Sequence, residues 1–243
     1  TTGPTGRNTP TVTWSLCFLT DYTVVSVDSR GKTCFWDGQT TGALKTELPL
    51  HGAPTLALAV SEDEETVYCA GVDPQIHLCR VAERSDDRNS STSTKWVRTF
   101  KRLLHEHDVR ALACLDQWLI SGGVDGSICF SAAPPKALVR IPPIPRSVSL
   151  TQTYPAVKGS PHHMLAMLTS ADAEDVNRGI KASSGAQLPR ISIFFLPNFS
   201  ASDVYDREPR LVMNVTTKGH VILDWSLSPE RLELIAYATD RHW

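Results

Sequence analysis

Three stretches of this chain repeat one pattern: four short β-prone runs with a tight-turn signal between the second and the third. In the first stretch the runs are Trp14–Leu19, Thr23–Val27, Thr33–Asp37 and Ala43–Leu48, with Arg30-Gly31 at the turn. In the second they are Thr55–Val60, Val67–Gly71, Gln75–Cys79 and Lys95–Leu103, with Asp73-Pro74 at the turn. In the third they are Val109–Cys114, Trp118–Gly122, Ser127–Phe130 and Ala137–Ile141, with Asp125-Gly126 at the turn. The first run of each quartet is apolar on both alternate faces, as in Leu56–Val60. A strand of that kind is expected to be buried on both sides, between neighbouring sheets.

The turns at 31, 74 and 126 are 43 and 52 residues apart. The longer interval holds a polar segment, 82–94, expected to be a flexible surface insertion. Without it both intervals approach the roughly 40 to 45 residues of a four-stranded propeller blade. The expected fold class is all-β, a β-propeller over residues 11–243, with about four blades and a partial fifth. Blades are placed near 11–50, 55–104, 109–142 and 147–217, with the partial one at 220–240. The fourth has runs at Ser147–Thr151, His162–Thr169, Arg190–Leu196 and Arg210–Thr216, and a second flexible insertion is expected at 170–189. Propellers close with roughly 4 to 8 complete blades, so either the closure is unorthodox or the chain is a piece of a longer propeller.

Charge narrows the partners. Lys and Arg total 24 against 26 Asp and Glu, a net charge of −2, which excludes coating nucleic acid by bulk charge. Contact with RNA must come from a local patch. No apolar run approaches the roughly 18 to 20 residues of a membrane-spanning helix, and Thr1–Arg7 lacks an apolar signal core. Neither a membrane partner nor secretion is expected. The six cysteines form no C-x-x-C pair and lie in apolar runs, so buried, reduced thiols are expected.

Particular residue types recur at fixed places in the quartets. His105 precedes the first run of the third quartet, Ser121 lies in its second run and Asp125 in its turn. In the second quartet His51 and Asp73 hold those places, with Cys69 and Cys79 where Ser and Trp would stand. In the first, Ser26 and Trp36 fit, Asp37 completes a Trp-Asp dipeptide, and Arg30 stands at the Asp place. Ser131 takes the Trp place in the third. This pattern resembles the WD-repeat proteins, which implies that the expected propeller is of the WD40 type.

The likeness extends to longer stretches. Trp14-Ser-Leu-Cys-Phe-Leu-Thr-Asp21, Val27-Asp-Ser-Arg-Gly-Lys32, Phe35-Trp-Asp37, Lys95-Trp-Val-Arg-Thr99, His105-Glu-His-Asp-Val-Arg110 and Leu119-Ile-Ser-Gly-Gly123 resemble the cirhin-like WD-repeat family of the small-subunit processome. Residues 12–130 carry most of that resemblance, and 212–239 a fainter one. It implies a longer tandem-propeller protein, of which this chain would be the middle portion, and a non-catalytic scaffold of the nucleus and nucleolus, acting in pre-ribosomal RNA processing and small-subunit assembly. The implied partners are other WD-repeat subunits of a pre-ribosomal complex, and pre-ribosomal RNA itself. No cofactor and no small-molecule substrate are implied.

His105, Ser121 and Asp125 are also the residue types of a hydrolytic triad. Their places in the repeat, and the lack of a G-x-S-x-G elbow, point instead to a hydrogen-bonded structural network. No catalytic residue is assigned. Neither His105-x-His107 nor His162-His163 has a further ligand at metal-binding spacing, so no metal is expected.

The segment 95–102 packs four cations and two aromatics into eight residues. Lys95, Trp96, Arg98, Lys101 and Arg102 are the candidate contacts to RNA or a partner, through phosphate pairing and base stacking. Alternatively, the cations guard an edge strand while Trp96 and Phe100 pack inward. Simple alternation puts Trp96, Arg98 and Phe100 on one face. The competing functional reading is another intracellular WD-repeat adaptor, such as a substrate receptor of a ubiquitin ligase.

Overall fold

The computed structural model describes residues 10–85, 92–115, 118–132, 138–141, 147–155, 163–170, 190–196, 210–216, 222–227 and 235–239. Side-chain surroundings are described for 10–82, 95–115 and 118–132. Among the described residues every regular element is a β-strand. The first sheet contains β1 (Thr13–Phe18), β2 (Thr23–Asp28), β3 (Lys32–Asp37) and β4 (Leu44–Pro49). The second contains β5 (Thr55–Val60), β6 (Thr66–Gly71), β7 (Gln75–Ser85) and β8 (Thr92–Leu103). The third contains β9 (Val109–Leu115), β10 (Trp118–Gly123), β11 (Ile128–Ala132) and β12 (Leu138–Ile141). The fourth contains β13 (Ser147–Pro155), β14 (His163–Ser170), β15 (Arg190–Leu196) and β16 (Arg210–Thr216). A two-stranded sheet of β17 (Ile222–Leu227) and β18 (Ile235–Thr239) follows.

All pairings are antiparallel, and each sheet runs in chain order as a meander. Where the connection is short, as between β2 and β3 or β10 and β11, this is required, because an antiparallel neighbour is reached in a few residues whereas a parallel one needs a crossover. The chain divides into two compact units, 1–104 and 105–243. In the first, β1 and β2 meet β5, and β4 meets β8. Leu19, Val25, Val27, Phe35, Leu50, Val67, Cys69, Cys79 and Trp96 form the core between these two sheets. In the second unit β13 lies beside β9 and β10. Phe130, Leu119, Ile120 and Ile128 are its largest fully buried side chains among those described.

Three features depart from the sequence expectations. β1 is not buried on both faces: Trp14, Leu16 and Phe18 are exposed, Phe18 to 71%. In unit 1 the neighbouring sheet covers only the other side of β1. Segment 82–94 is not a loop throughout, since β7 and β8 pair from Ala82–Lys95 to Ser85–Thr92. Its Ser and Thr residues suit a strand even without apolar character. Residues 86–91, and 171–189 of the other expected insertion, lie outside the described residues.

The third departure is a β-bulge in β8. His77 pairs with Lys101 but Cys79 pairs with Arg98, so Leu78 opposes both Thr99 and Phe100. Thr99 Oγ1 donates to the Leu78 carbonyl at 3.2 Å. The extra residue resets the alternation. Val81, Cys79 and His77 share one face of β7, and their partners Trp96, Arg98 and Lys101 therefore share one face of β8. Without the bulge, Phe100 would share that face, as simple alternation expects, and Lys101 would face the other way; with it, Phe100 lies on the face opposite Trp96 and Arg98.

Candidate functional site

The repeat-motif residues assemble into small buried networks. His105 presents Nε2 to Ser121 Oγ at 2.8 Å and Nδ1 to Asp125 Oδ1 at 3.4 Å. Asp125 also accepts the backbone N–H of Ser127 at 2.9 Å and of Glu106 at 3.2 Å. These bonds tie the β10–β11 turn to β10 and to the segment before β9. Burial opposes ionisation of Asp125, but the Ser127 and Glu106 donors and the neighbouring His105 hold its pKa below the ordinary value. Ser121 is fully buried, so its hydroxyl faces no substrate. A nucleophile needs access, and this triad has none.

The second quartet builds a related network. His51 Nδ1 lies 2.9 Å from Asp73 Oδ1, and Nε2 lies 3.3 Å from the Cys69 carbonyl. Burial disfavours the protonated ring, yet these acceptors outweigh it and raise the His51 pKa. Asp73 also accepts the Gln75 N–H at 3.1 Å, closing its turn. In the first quartet Trp36 Nε1 donates to Ser26 Oγ at 2.8 Å. Its turn is held not from the Arg30 place but by Asp28, whose Oδ1 accepts the N–H groups of Arg30 at 2.8 Å and Lys32 at 2.9 Å. Asp37 serves the following turn. Its bond from the Thr40 hydroxyl, then those from the backbone of Gln39 and Thr41, hold its pKa down to about 2.

The five candidate contact residues separate. Trp96 is 9% exposed and stacks on Phe35, so it is core and offers no face to a base. Lys95 pairs with Ala82 and Arg102 with Ile76, which places both on the opposite face from Trp96. Arg98 and Lys101 remain; the bulge puts Lys101 on the face of Arg98, and both line a cavity of about 420 Å³ that Leu50 and Gly52 also line. Asp73, Gln75, His77 and Phe100 complete the parts of its wall that bear on binding. His77 is buried, and its Nδ1 has no hydrogen-bond partner among the described residues. Burial first, then the charges of His51, Arg98 and Lys101, push its pKa down to about 4, against the pull of Asp73. A histidine inside the apolar run Gln75–Cys79 was the sequence signal for this position.

His51, Asp73 and His77 are the one set of three ligand-type side chains, among the described residues, whose donor atoms lie within 4.8 Å of one another. They suit a metal poorly. Ligand atoms around a tetrahedral zinc lie roughly 3.3 Å apart, both His51 nitrogens are already engaged, and Arg98 and Lys101 line the same cavity. The site is cationic at its mouth and suits an anion.

Four-stranded antiparallel meanders tied by His–Ser–Asp and Ser–Trp networks define the class: this is an all-β protein with the WD40-type propeller fold. A chain in the crystal structure of the mitotic checkpoint complex matches it with a TM-score of 0.62 over 94% of this chain and 61% of that one, at 17% identity, which is likeness of fold. No protein-family model matches the chain. By sequence it is similar to the U3 small nucleolar RNA-associated protein 4 homolog of Homo sapiens, at 35% identity over 120 residues, 49% of this chain and 17% of that protein. It is also similar to U3 small nucleolar RNA-associated protein 4 of Saccharomyces cerevisiae, at 33% over 128 residues, covering 50% and 16%. The counterpart of Schizosaccharomyces pombe is 28% identical over 195 residues, 71% of this chain and 26% of that protein. The matched part of the chain thus spans between 16% and 26% of the length of these relatives.

Proposed function

We propose that this chain is a non-catalytic WD-repeat scaffold of the small-subunit processome, acting in the nucleolus in pre-ribosomal RNA processing and small ribosomal subunit assembly. The similarity to U3 small nucleolar RNA-associated protein 4 carries this reading. The folded chain is consistent with it: its best-assembled His–Ser–Asp set is sealed in a sheet, where it stabilises a turn. Its partners are other WD-repeat subunits of a pre-ribosomal complex, together with pre-ribosomal RNA. The test is affinity purification of the tagged protein from nuclear extract. Pre-ribosomal RNA and further WD-repeat subunits are expected in the eluate. Recovery of ubiquitin-ligase subunits without that RNA would replace this reading with the adaptor one.

A further inference from the structure

We propose that the cavity lined by Leu50, Gly52, His77, Arg98 and Lys101 binds a phosphate monoester, with Arg98, Lys101 and His77 each meeting one of its three terminal oxygens. The chemistry of this pocket stands apart from the processome reading above.

Strand register gathers the three groups. His77 of β7 pairs directly with Lys101 of β8, and Cys79, two residues further along β7, pairs with Arg98. All three side chains therefore stand on one face, and all three line the same cavity. Residues directly opposite in an antiparallel pair stand roughly 5 Å apart at Cβ and diagonal ones roughly 7–8 Å, close enough for long side chains to converge on one small anion. Arg98 and Lys101 are exposed and form no ion pair among the described residues. Asp73, the carboxylate in the wall, is already engaged: His51 Nδ1 lies 2.9 Å from it, and it accepts the Gln75 N–H at 3.1 Å. Two positive charges are thus left facing the cavity, and an anion is their complement.

His77 supplies a third group. It is only 4% exposed, and its Nδ1 is buried without a hydrogen bond among the described residues, a state that costs free energy until a ligand or water meets it. The anion that fits two cations and one further donor has two charges and three oxygens. A phosphate monoester carries a charge of about −1.5 to −2 at neutral pH and three strong acceptor oxygens. Arg98 and Lys101 balance that charge, and the neutral His77 ring, protonated at Nδ1, donates to the third oxygen. A carboxylate, or the diester link inside a nucleic-acid strand, brings a single charge and two free oxygens, and leaves one of the three groups unmet. The volume of about 420 Å³ exceeds what a lone phosphate needs, so the group that carries the ester has room beside Gln75 and Leu50. The bulge is the device that makes the site, since it brings Lys101 to the face of Arg98 and His77.

The test is titration of the purified full chain with glycerophosphate and with a blocked Gly-phosphoserine-Gly peptide, at constant ionic strength, followed by NMR of the His77 imidazole. The wild type gives a saturable shift with at least one of the two. The bound anion also raises the His77 midpoint from about 4, because a negative charge beside the ring offsets the influence of His51, Arg98 and Lys101 and adds to that of Asp73. Arg98→Gln and Lys101→Gln each weaken binding by about tenfold or more. Lys95→Gln, on the opposite face, leaves it unchanged. All three substituted side chains are exposed, and circular dichroism checks that the variants fold. Tighter binding of the peptide assigns the site to a phosphorylated side chain of a partner, and tighter binding of glycerophosphate to a small molecule; either result upholds it. No saturable shift with either ligand, equal affinity for a blocked Gly-Glu-Gly peptide, or undiminished binding by the Arg98 and Lys101 variants overturns the proposal. Co-purification with pre-ribosomal complexes is measured separately, so the scaffold reading can fail or hold without deciding this one.

Discussion

Phe35 of β3 and Trp96 of β8 stack across two sheets, with ring centroids 4.7 Å apart and planes inclined by 13°. Phe35 is fully buried, and the pair lies in the core that joins the sheets of unit 1. Trp96→Ala empties that space and is expected to cost about 3–5 kcal/mol. Trp96→Phe keeps an aromatic ring and costs less. The check is the urea midpoint at constant m-value; an unshifted midpoint in the alanine variant would remove the ring pair from sheet packing.

Asp125 joins a turn to a buried histidine through three hydrogen-bond partners, His105, Ser127 and Glu106, and His105 in turn bonds Ser121. Asp125→Ala leaves buried donors unmet and is expected to cost about 1–3 kcal/mol at neutral pH. The folded pKa of Asp125 is depressed. Its stabilising contribution is therefore complete above the unfolded carboxylate pKa of about 3.9 and fades as pH falls through the lower folded value. The stability gap between wild type and Asp125→Asn should narrow on acidification below about pH 4. A gap that widens there contradicts the ion-stabilised turn.

Gly31 has φ 78°, and a Cβ placed on it would stand 2.2 Å from the His51 carbonyl oxygen and 2.7 Å from that of Ala53. Its own carbonyl accepts the N–H groups of Leu50 and His51, both at 3.1 Å. Gly42 has a similar φ of 67° but open space around it. Gly42→Ala is thus expected to cost only the roughly 1–2 kcal/mol of a left-handed alanine, and Gly31→Ala clearly more. Thermal melts of the two variants separate steric from conformational cost. Equal shifts would show that the linker yields freely.

Much of this was legible because turn chemistry and residue spacing are local. The quartets, and the residues His105, Ser121 and Asp125, follow from runs and turns that each need only a few neighbours. What escaped depended on partners distant in sequence. The bulge at Thr99–Phe100 exists only against Leu78, so alternation along β8 put Phe100 on the face of Trp96 and Arg98 where Lys101 stands. Exposure of Trp14, Leu16 and Phe18 depends on which sheet lies alongside β1. Asp28 was passed over because an Asx-type bond can hold a turn from more than one offset, and its place in the repeat is shifted from that of Asp73 and Asp125. The cavity required β8, the Leu50–Gly52 linker and His77 at once.

His51 and His77 meet edge to face, with ring centroids 4.4 Å apart and an interplanar angle of 75°. Their pKa values move in opposite directions, up for His51 and down to about 4 for His77. Two adjacent imidazoles cannot both charge cheaply, and Asp73 bonds the first while burial, His51, Arg98 and Lys101 discharge the second. For His77 the unfolded chain binds the proton more readily than the folded one. Its contribution is complete above the unfolded pKa of about 6.5 and is lost as pH falls from there toward about 4. His51 contributes with the opposite sign: its stabilisation is present below about 6.5 and is lost as pH rises through its raised folded pKa. His77→Gln should flatten the decline in stability between pH 6.5 and 4, whereas Arg98→Gln and Lys101→Gln should raise the His77 midpoint seen by imidazole NMR. A His77 midpoint at or above 6.5 in the wild type would mean that water and counter-charge reach Nδ1 freely, and that the ring is not held neutral against the cavity.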